Sequence, residues 1–377
     1  MSIHLHWYLP TNGDSRSIVG AGDDSQHIQG GEVNYRAASL DYLIDIARSA
    51  ERLGFEGVLT PTGSWCEDAW LSTMAISQHT EKLKFIVAFR PGFISPTLAA
   101  HQAATFQRLT QGRLLINIVT GGDPVEQRRY GDQLDHQQRY ARSGEFIAAF
   151  KGVSAARANG QPFDFQGQHY QLEQATLLPS AWPVPPVFFG GASAAAQQVA
   201  AAQADTWITW GEPLDQVAPR LTAVRAAAAT QGRQLTFGIR FHVISRDSEE
   251  EAWREAARLL QGITPARIHS AQSLLSRTES VGQQRMTALL NNIEARHVNP
   301  ENVRALEIAP GVWSGYGLVR GGAGTALVGS HQQVAELIKA YHALGIDHFI
   351  LSGQPHLEEA WWFAEGAGAL LRRAGLV

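Results

Sequence analysis

Eight short runs rich in β-branched and aromatic residues alternate along the chain with longer segments of helical periodicity, and that alternation leaves few folds open. The runs predict strands at His4 to Leu9, Gly57 to Leu59, Lys84 to Phe89, Leu114 to Val119, Val187 to Phe189, Thr206 to Thr209, Phe237 to Ile244 and His348 to Leu351. Between them the spacing predicts helices over 40–53, 67–78, 96–109, 138–156, 193–203, 214–230, 248–260 and 332–344, with glycine stops and Ser193 and Ser248 as starts. Near-continuous apolar strands separated by helices read as a parallel sheet covered on both faces. Eight such units suggest an α/β fold of the TIM-like (β/α)8 barrel type, one domain over 1–377. Two Rossmann-like halves fit less well. The first strand runs into TNGDSRSIVGAG, not a tight glycine turn, and no GxGxxG follows a strand with an acid twenty residues on. Segments 11–38, 157–180 and 262–331 exceed what barrel connections need, and the last holds further helical patterns at 265–276 and 280–293.

With 377 residues, 44% of them apolar, the chain can bury a large core, and Lys+Arg 31 against Asp+Glu 35 provides no global field for nucleic acid or an anionic membrane. Any bound anion must meet a local cluster. The single cysteine, Cys66, excludes an intrachain disulfide and a clustered cysteine metal site, and no His, Asp and Cys grouping has metal-ligand spacing. Neither a signal peptide nor an eighteen-residue apolar run is evident, so a cytoplasmic protein is expected.

In a barrel the C-terminal strand ends surround the site. In FGIRFHV, Arg240 and His242 stand two apart on one strand, hence on one face, with Phe241 and Val243 opposite. A buried arginine needs an anion, from substrate, cofactor or a fixed ion pair. His6, alternating with His4, reads either as a satisfied inward histidine or as a catalytic one. Cys66 in PTGSWCEDAW stands at a predicted helix start, where the dipole would lower its pKa; it is a nucleophile or a small thiol lining a pocket. His136 and Tyr140, four apart on a helix, form a phosphate grip or a packing pair, and FFGGAS adds Gly190, Gly191 and Ser193 beside a helix N-terminus. Asn117, Thr120 and Trp210 end other strands. The stretch GYGLVRGGAGTALVG packs six glycines around Arg320, either as a backbone nest for a phosphate or as a hinged loop over an anion.

The motifs FRPGFISPTLAAHQAATFQRLTQGRLLINIVTGGDP, PPVFFGGAS, TWGEP, FGIRFHV, VGQQRM, LVRGGAGTALVG and SGQPHLEEA, in this order, resemble those of the bacterial luciferase-like flavin monooxygenases, and within them most of all the FMNH2-dependent alkanesulfonate monooxygenases. The resemblance implies a TIM-like barrel that takes reduced FMN from a separate NAD(P)H-dependent flavin reductase, uses O2, and cleaves the C–S bond of an organosulfonate to an aldehyde and sulfite. It implies catalytic roles for Arg240, His242, Trp210, Cys66 and the mobile-loop Arg320, in a lid at about 311–329. Related flavin enzymes imply FMN contacts for His136, Tyr140 and Ser193. A homodimer or homotetramer, with no nucleic-acid or membrane partner, is expected. The chain departs from the family pattern at Asn12, Trp65 and Gln354, and in a longer segment at 20–38. Gln354 replaces a tyrosine, and an amide cannot shuttle a proton near neutral pH. These changes suggest a shifted substrate, such as a larger sulfonate or a sulfone. Coenzyme F420-dependent oxidoreduction on the same barrel is the alternative chemistry.

Overall fold

The computed structural model describes residues 2–18, 35–291 and 298–377, so most of the 20–38 segment lies outside the described residues. All eight expected strands form and close into one ring. They are β1 (His4–Tyr8), β2 (Gly57–Thr60), β3 (Lys84–Phe89), β4 (Leu114–Ile118), β5 (Val187–Gly190), β6 (Thr206–Trp210), β7 (Thr236–Arg246) and β8 (His348–Ser352). Neighbours pair in parallel in chain order, and β8 closes the ring onto β1.

The two-residue period of the strands separates two cores. Outward residues such as Trp7, Val58, Phe85, Ile116, Trp207, Phe241 and Phe349 pack under the helices. Inward, each of seven strands contributes one residue to a central layer: Tyr8, Leu59, Ile86, Leu115, Phe188, Ile208 and Ile350. The remaining strand, β7, breaks the layer. Opposite Ile350 of β8 and Trp210 of β6, β7 places Arg240.

Seven expected helices follow their strands, beginning at caps that satisfy orphan N–H groups. Asp135 and Gln138 form a capping box, as do Ser248 with Glu251 and Ser330 with Gln333. Ser193 is the N-cap of Ala194–Gln203 and not its first residue. The eighth expected helix, found at His331–Ala343, precedes β8; the helix that completes the last unit is His356–Glu365, which begins after Pro355 and shows only a short apolar face.

The segment 157–180 forms a hairpin, Phe163–Gln166 with Gln171–Ala175. Among the described residues of 262–331 lie helices Pro265–Leu275 and Val281–Ala288 and three short strands, of which Ala326–Ser330 pairs in parallel with His242–Arg246. Thus the first half of the eleven-residue β7 closes the barrel, and its second half extends past the rim to carry this strand. Among the described residues no helix is long and apolar enough to cross a membrane.

Candidate active site

A cavity of about 400 Å³ opens at the C-terminal ends of the strands. Its floor is Tyr8, Ile208, Ile350 and Arg240, and its roof comes from the 262–331 segment through Ser280, Gly282, Gln283, Gly321 and Gly322. Asn117, Thr120, His136, Tyr140, Gly190, Gly191 and Trp210, all singled out in the sequence, line it.

At one end His136 and Tyr140 stand edge to face, ring centroids 4.9 Å apart, on the first turns of helix His136–Ala158. Burial lowers the pKa of His136, with help from Arg139, so the ring is neutral at pH 7. Burial raises the phenol of Tyr140, against a hydrogen bond to Ser193. Ser193 also accepts from the Ala196 N–H at 3.2 Å, so it stands behind the phenol and outside the cavity lining. Gly191 is obligatory here: its φ is +140°, and a Cβ would stand 2.5 Å from the Ala196 Cβ and 2.9 Å from the Tyr140 hydroxyl. The result is a backbone-lined hollow beside a helix N-terminus, a shape and polarity suited to a phosphate.

At the other end the Arg240 guanidinium lies over the Tyr8 ring, 4.3 Å from its centroid. Its buried Nε has no hydrogen-bond partner among the described residues. The other arginines of this region are matched. Arg90 meets Glu126 at 2.7 Å, while Arg220 and Arg285 share the buried Glu212 at 2.7 and 2.6 Å.

His242 is buried beside Arg240 but does not line the cavity. Its Nδ1 is 2.8 Å from the Ser352 hydroxyl, and its ring is stacked on Tyr316 with 3.6 Å between centroids. Burial, then the charges of Arg240, Arg320 and His356, push its pKa well below the usual histidine range. Gln354 also lies beyond the cavity wall, fully enclosed, with neither its Oε1 nor its Nε2 hydrogen-bonded among the described residues. Cys66 is displaced from its expected place. The helix starts at Ala69 after the Asp68 cap, so the thiol lies before the first turn, bonded to the Gly63 carbonyl at 3.6 Å, while its neighbour Trp65 lines the cavity.

The glycine-rich stretch resolves into a pinched loop. Its ends are strands, Val312–Trp313 and Ala326–Ser330, so only the part between them is free of the sheet. At the neck the Gly317 N–H donates to the Gly324 carbonyl at 2.8 Å, and a Cβ on Gly324 would come within 2.8 Å of the Gly317 Cα. Gln272 donates to the carbonyls of Gly317 and Leu318, and Gln283 accepts from the Gly322 N–H at 2.8 Å. Arg320, at the tip, is buried and donates to the Ile18 carbonyl at 3.0 Å. The glycines therefore serve a close backbone crossing, which sequence spacing alone does not reveal.

His356, at the rim after β8, is held by a partner far away in the sequence. Asp14 accepts from both the His356 N–H at 2.7 Å and the His356 Nδ1 at 2.9 Å. The signal was present in TNGD after β1 and QPH after β8, since adjacent parallel strands bring these two loops together.

A (β/α)8 barrel with a cavity at its C-terminal rim, a glycine-lined hollow at one end and, at the other, an arginine with no ion-pair partner among the described residues is the frame of a cofactor-using enzyme. Residues 19–348 match the model of the luciferase-like monooxygenases, and the chain belongs to that family. Among solved structures, it is similar to a riboflavin lyase in complex with modified FMN and riboflavin, at 16% identity and a TM-score of 0.77, covering 100% of this chain and 93% of the other. EDTA monooxygenase from Chelativorans sp. BNC1 gives 18% and 0.73 over 100% and 95%. An F420-dependent secondary alcohol dehydrogenase with an F420-acetone adduct gives 15% and 0.67 over 98% and 99%. At these identities the likeness is one of fold.

Proposed function

We propose that this protein is a two-component monooxygenase that uses FMNH2 and O2 to cleave the C–S bond of an organosulfonate, releasing sulfite and an aldehyde. The observation that carries the substrate class is Arg240, an arginine set in an otherwise apolar layer with no carboxylate paired to it among the described residues. Such a charge is costly unless a ligand anion meets it, and a guanidinium suits the oxygens of a sulfonate. His136, Tyr140 and the Gly190–Gly191 backbone, with Ser193 behind, would hold the FMN phosphate. Asn117, Thr120 and Trp210 would flank the flavin, and Thr120 is fixed by the Ser143 hydroxyl at 3.1 Å. Reduced flavin, delivered by an NAD(P)H-dependent reductase, would supply the oxygen-activating chemistry. This chain's own part is to hold the anion at Arg240, to place Arg320 on the same side, and to exclude water through the loop 317–324, whose opening frees both. A lid in this sense is confined to the pinched loop.

The fold accommodates other chemistry, as the EDTA monooxygenase and the F420-dependent dehydrogenase illustrate, so the reading rests on the cavity. The test is a panel of sulfonates and sulfones incubated with the protein, FMN, NADH and a flavin reductase, with sulfite and oxygen uptake measured. Sulfite formation that consumes oxygen is expected. Release from none of the sulfonates, at a protein concentration that binds FMNH2, overturns the reading; reduction of F420 without oxygen uptake supports the alternative.

A further inference from the structure

Three loops at the barrel rim meet on one carboxylate. Glu126 stands in the short helix Pro124–Arg129 beyond β4, and its side chain is 8% exposed. One of its oxygens accepts from the Ser64 N–H, in the loop after β2, at 2.7 Å. The other accepts from Arg90, at the end of β3, also at 2.7 Å. Arg90 is buried too; it lies over the Phe93 ring, 5.6 Å from its centroid, and its Nη2 is 3.5 Å from the Thr62 carbonyl. A buried charge pair that gives one oxygen to a backbone N–H fixes that backbone firmly, since water is not at hand to replace either partner. Further along the same loop the Glu67 N–H donates to the Thr11 carbonyl at 3.0 Å.

Between these two fastenings lies Trp65, which lines the cavity together with Pro61 and Thr62. The loop turns so tightly that the indole folds back on Gly63, where a Cβ would come within 2.7 Å of three atoms of the pyrrole ring. Among the described residues nothing is hydrogen-bonded to the indole N–H, so the ring keeps its place by packing and by the backbone beneath it. In the barrel β2 is separated from β7 by β8 and β1, and Ile350 and Tyr8 of those strands form the cavity floor between Arg240 and the loop of Trp65. An anionic head group at Arg240 therefore leaves its carbon chain to run over an apolar floor toward the indole.

We infer that Trp65 sets the length of carbon chain the cavity accepts, and that Glu126 is the positioning residue that holds Trp65 in place. The identity of the chain rests on the proposed sulfonate reaction; the part played by Glu126 rests on the geometry alone.

The two parts are tested separately. Full-length protein is labelled with fluorotryptophan, and the Trp65 fluorine NMR signal is assigned by its loss in Trp65→Phe. Glu126→Ala is expected to shift or broaden that signal and to leave those of Trp207 and Trp313, buried in other parts of the fold, in place. The paired change Arg90→Met with Glu126→Leu removes the bond to Ser64 without orphaning an arginine, and should do the same if Glu126→Ala fails to fold. A Trp65 signal unmoved in the folded variants overturns the inference. Chain length is read as the ratio of kcat/KM for decanesulfonate to that for ethanesulfonate, with FMN, NADH and a flavin reductase. The ratio should rise about tenfold in Trp65→Ala and about as much in the Glu126 variant. Combining the two should raise it no further, because Glu126 acts through the indole. Additive shifts, which a merely structural role would give, overturn the positioning role. A moved signal with sulfite from no sulfonate keeps Glu126 as the holder of Trp65 and overturns both the sulfonate reading and the chain-length role; an unmoved signal with sulfite released leaves the sulfonate reading and removes Glu126.

Discussion

Acid should unfold this barrel from its base, and the amount can be worked from two histidines. At the N-terminal end of the strands, His6 Nε2 lies 3.0 Å from His348 Nδ1, and His348 stacks on His4 with 4.5 Å between centroids. His4 in turn bonds Glu56, which also holds Lys84 at 2.8 Å. Burial lowers the pKa of His6 to about 4 and that of His348 to about 3. Both folded values lie below the unfolded value of about 6.5, so the unfolded chain binds protons first as pH falls, and stability is lost from about pH 6.5 downward. For each group the loss between pH 7 and pH 5 is about 2 kcal/mol. The two share a hydrogen bond, so together they contribute about 2 to 4 kcal/mol, which for a chain of this length is about 3 to 5 °C in Tm. His4, whose pKa is raised by its bond to Glu56, acts in the opposite direction over the same range and returns part of this. His242 adds its own acid loss, so the base is isolated by difference. Melting of wild type and His6→Asn is followed from pH 7 to pH 5 by circular dichroism or dye binding. The variant should lose about 2 kcal/mol less than the wild type over that interval, whatever its stability at pH 7. Parallel pH dependences for the two proteins would refute the assignment.

Other expectations concern the cavity. Arg240→Lys should keep the fold and lose about 100-fold in kcat/KM, because a point ammonium cannot reproduce the guanidinium fork; Arg240→Met should abolish turnover yet raise Tm, and a fall in Tm would show that the charge is already compensated. Gly191→Ala should weaken FMN by at least about tenfold in a fluorescence titration, since its Cβ has no room and its φ is unfavourable. Cys66→Ser should retain folding and a measurable rate, and a covalent substrate adduct on Cys66 found by mass spectrometry would overturn its noncatalytic role. Gln283→Ala should raise amide exchange at Gly322 and susceptibility to protease within 317–324, with and without FMN; unchanged exchange would remove Gln283 as the fastening of that loop.

The barrel was legible because its signal is local and repeated. Val, Ile and Phe at two-residue spacing, such as Phe85 and Val87 against Ile86, state which face is buried whatever the rest of the chain does. Ala326–Ser330 was not legible, since its strand character depends on β7 extending beyond the rim to receive it. The close backbone approach at Gly191 could be read from FFGGAS because such an approach demands glycine. The Asp14–His356 pair joins positions 342 apart and has no local trace; only the neighbourhood of β1 and β8 creates it.

The three departures at Asn12, Trp65 and Gln354 do not weigh equally once they are placed. Trp65 lines the cavity and folds back over Gly63, where a Cβ would lie 2.2 Å from the indole nitrogen, so its bulk acts directly on whatever fills the space. Asn12 and Gln354 are buried, on the loops after β1 and β8 that Asp14 and His356 join. The Gln354 amide has both polar atoms unmet among the described residues, which costs about 1 to 3 kcal/mol per group. Gln354→Leu should therefore stabilise the protein and leave binding of a compact oxyanion such as sulfite unchanged, and Trp65→Ala should leave sulfite binding intact and widen the range of sulfonate chain lengths. A loss of stability in Gln354→Leu would show that its amide is hydrogen-bonded in the folded chain, and loss of sulfite binding in Trp65→Ala would place the head group of the substrate against Trp65 and away from Arg240.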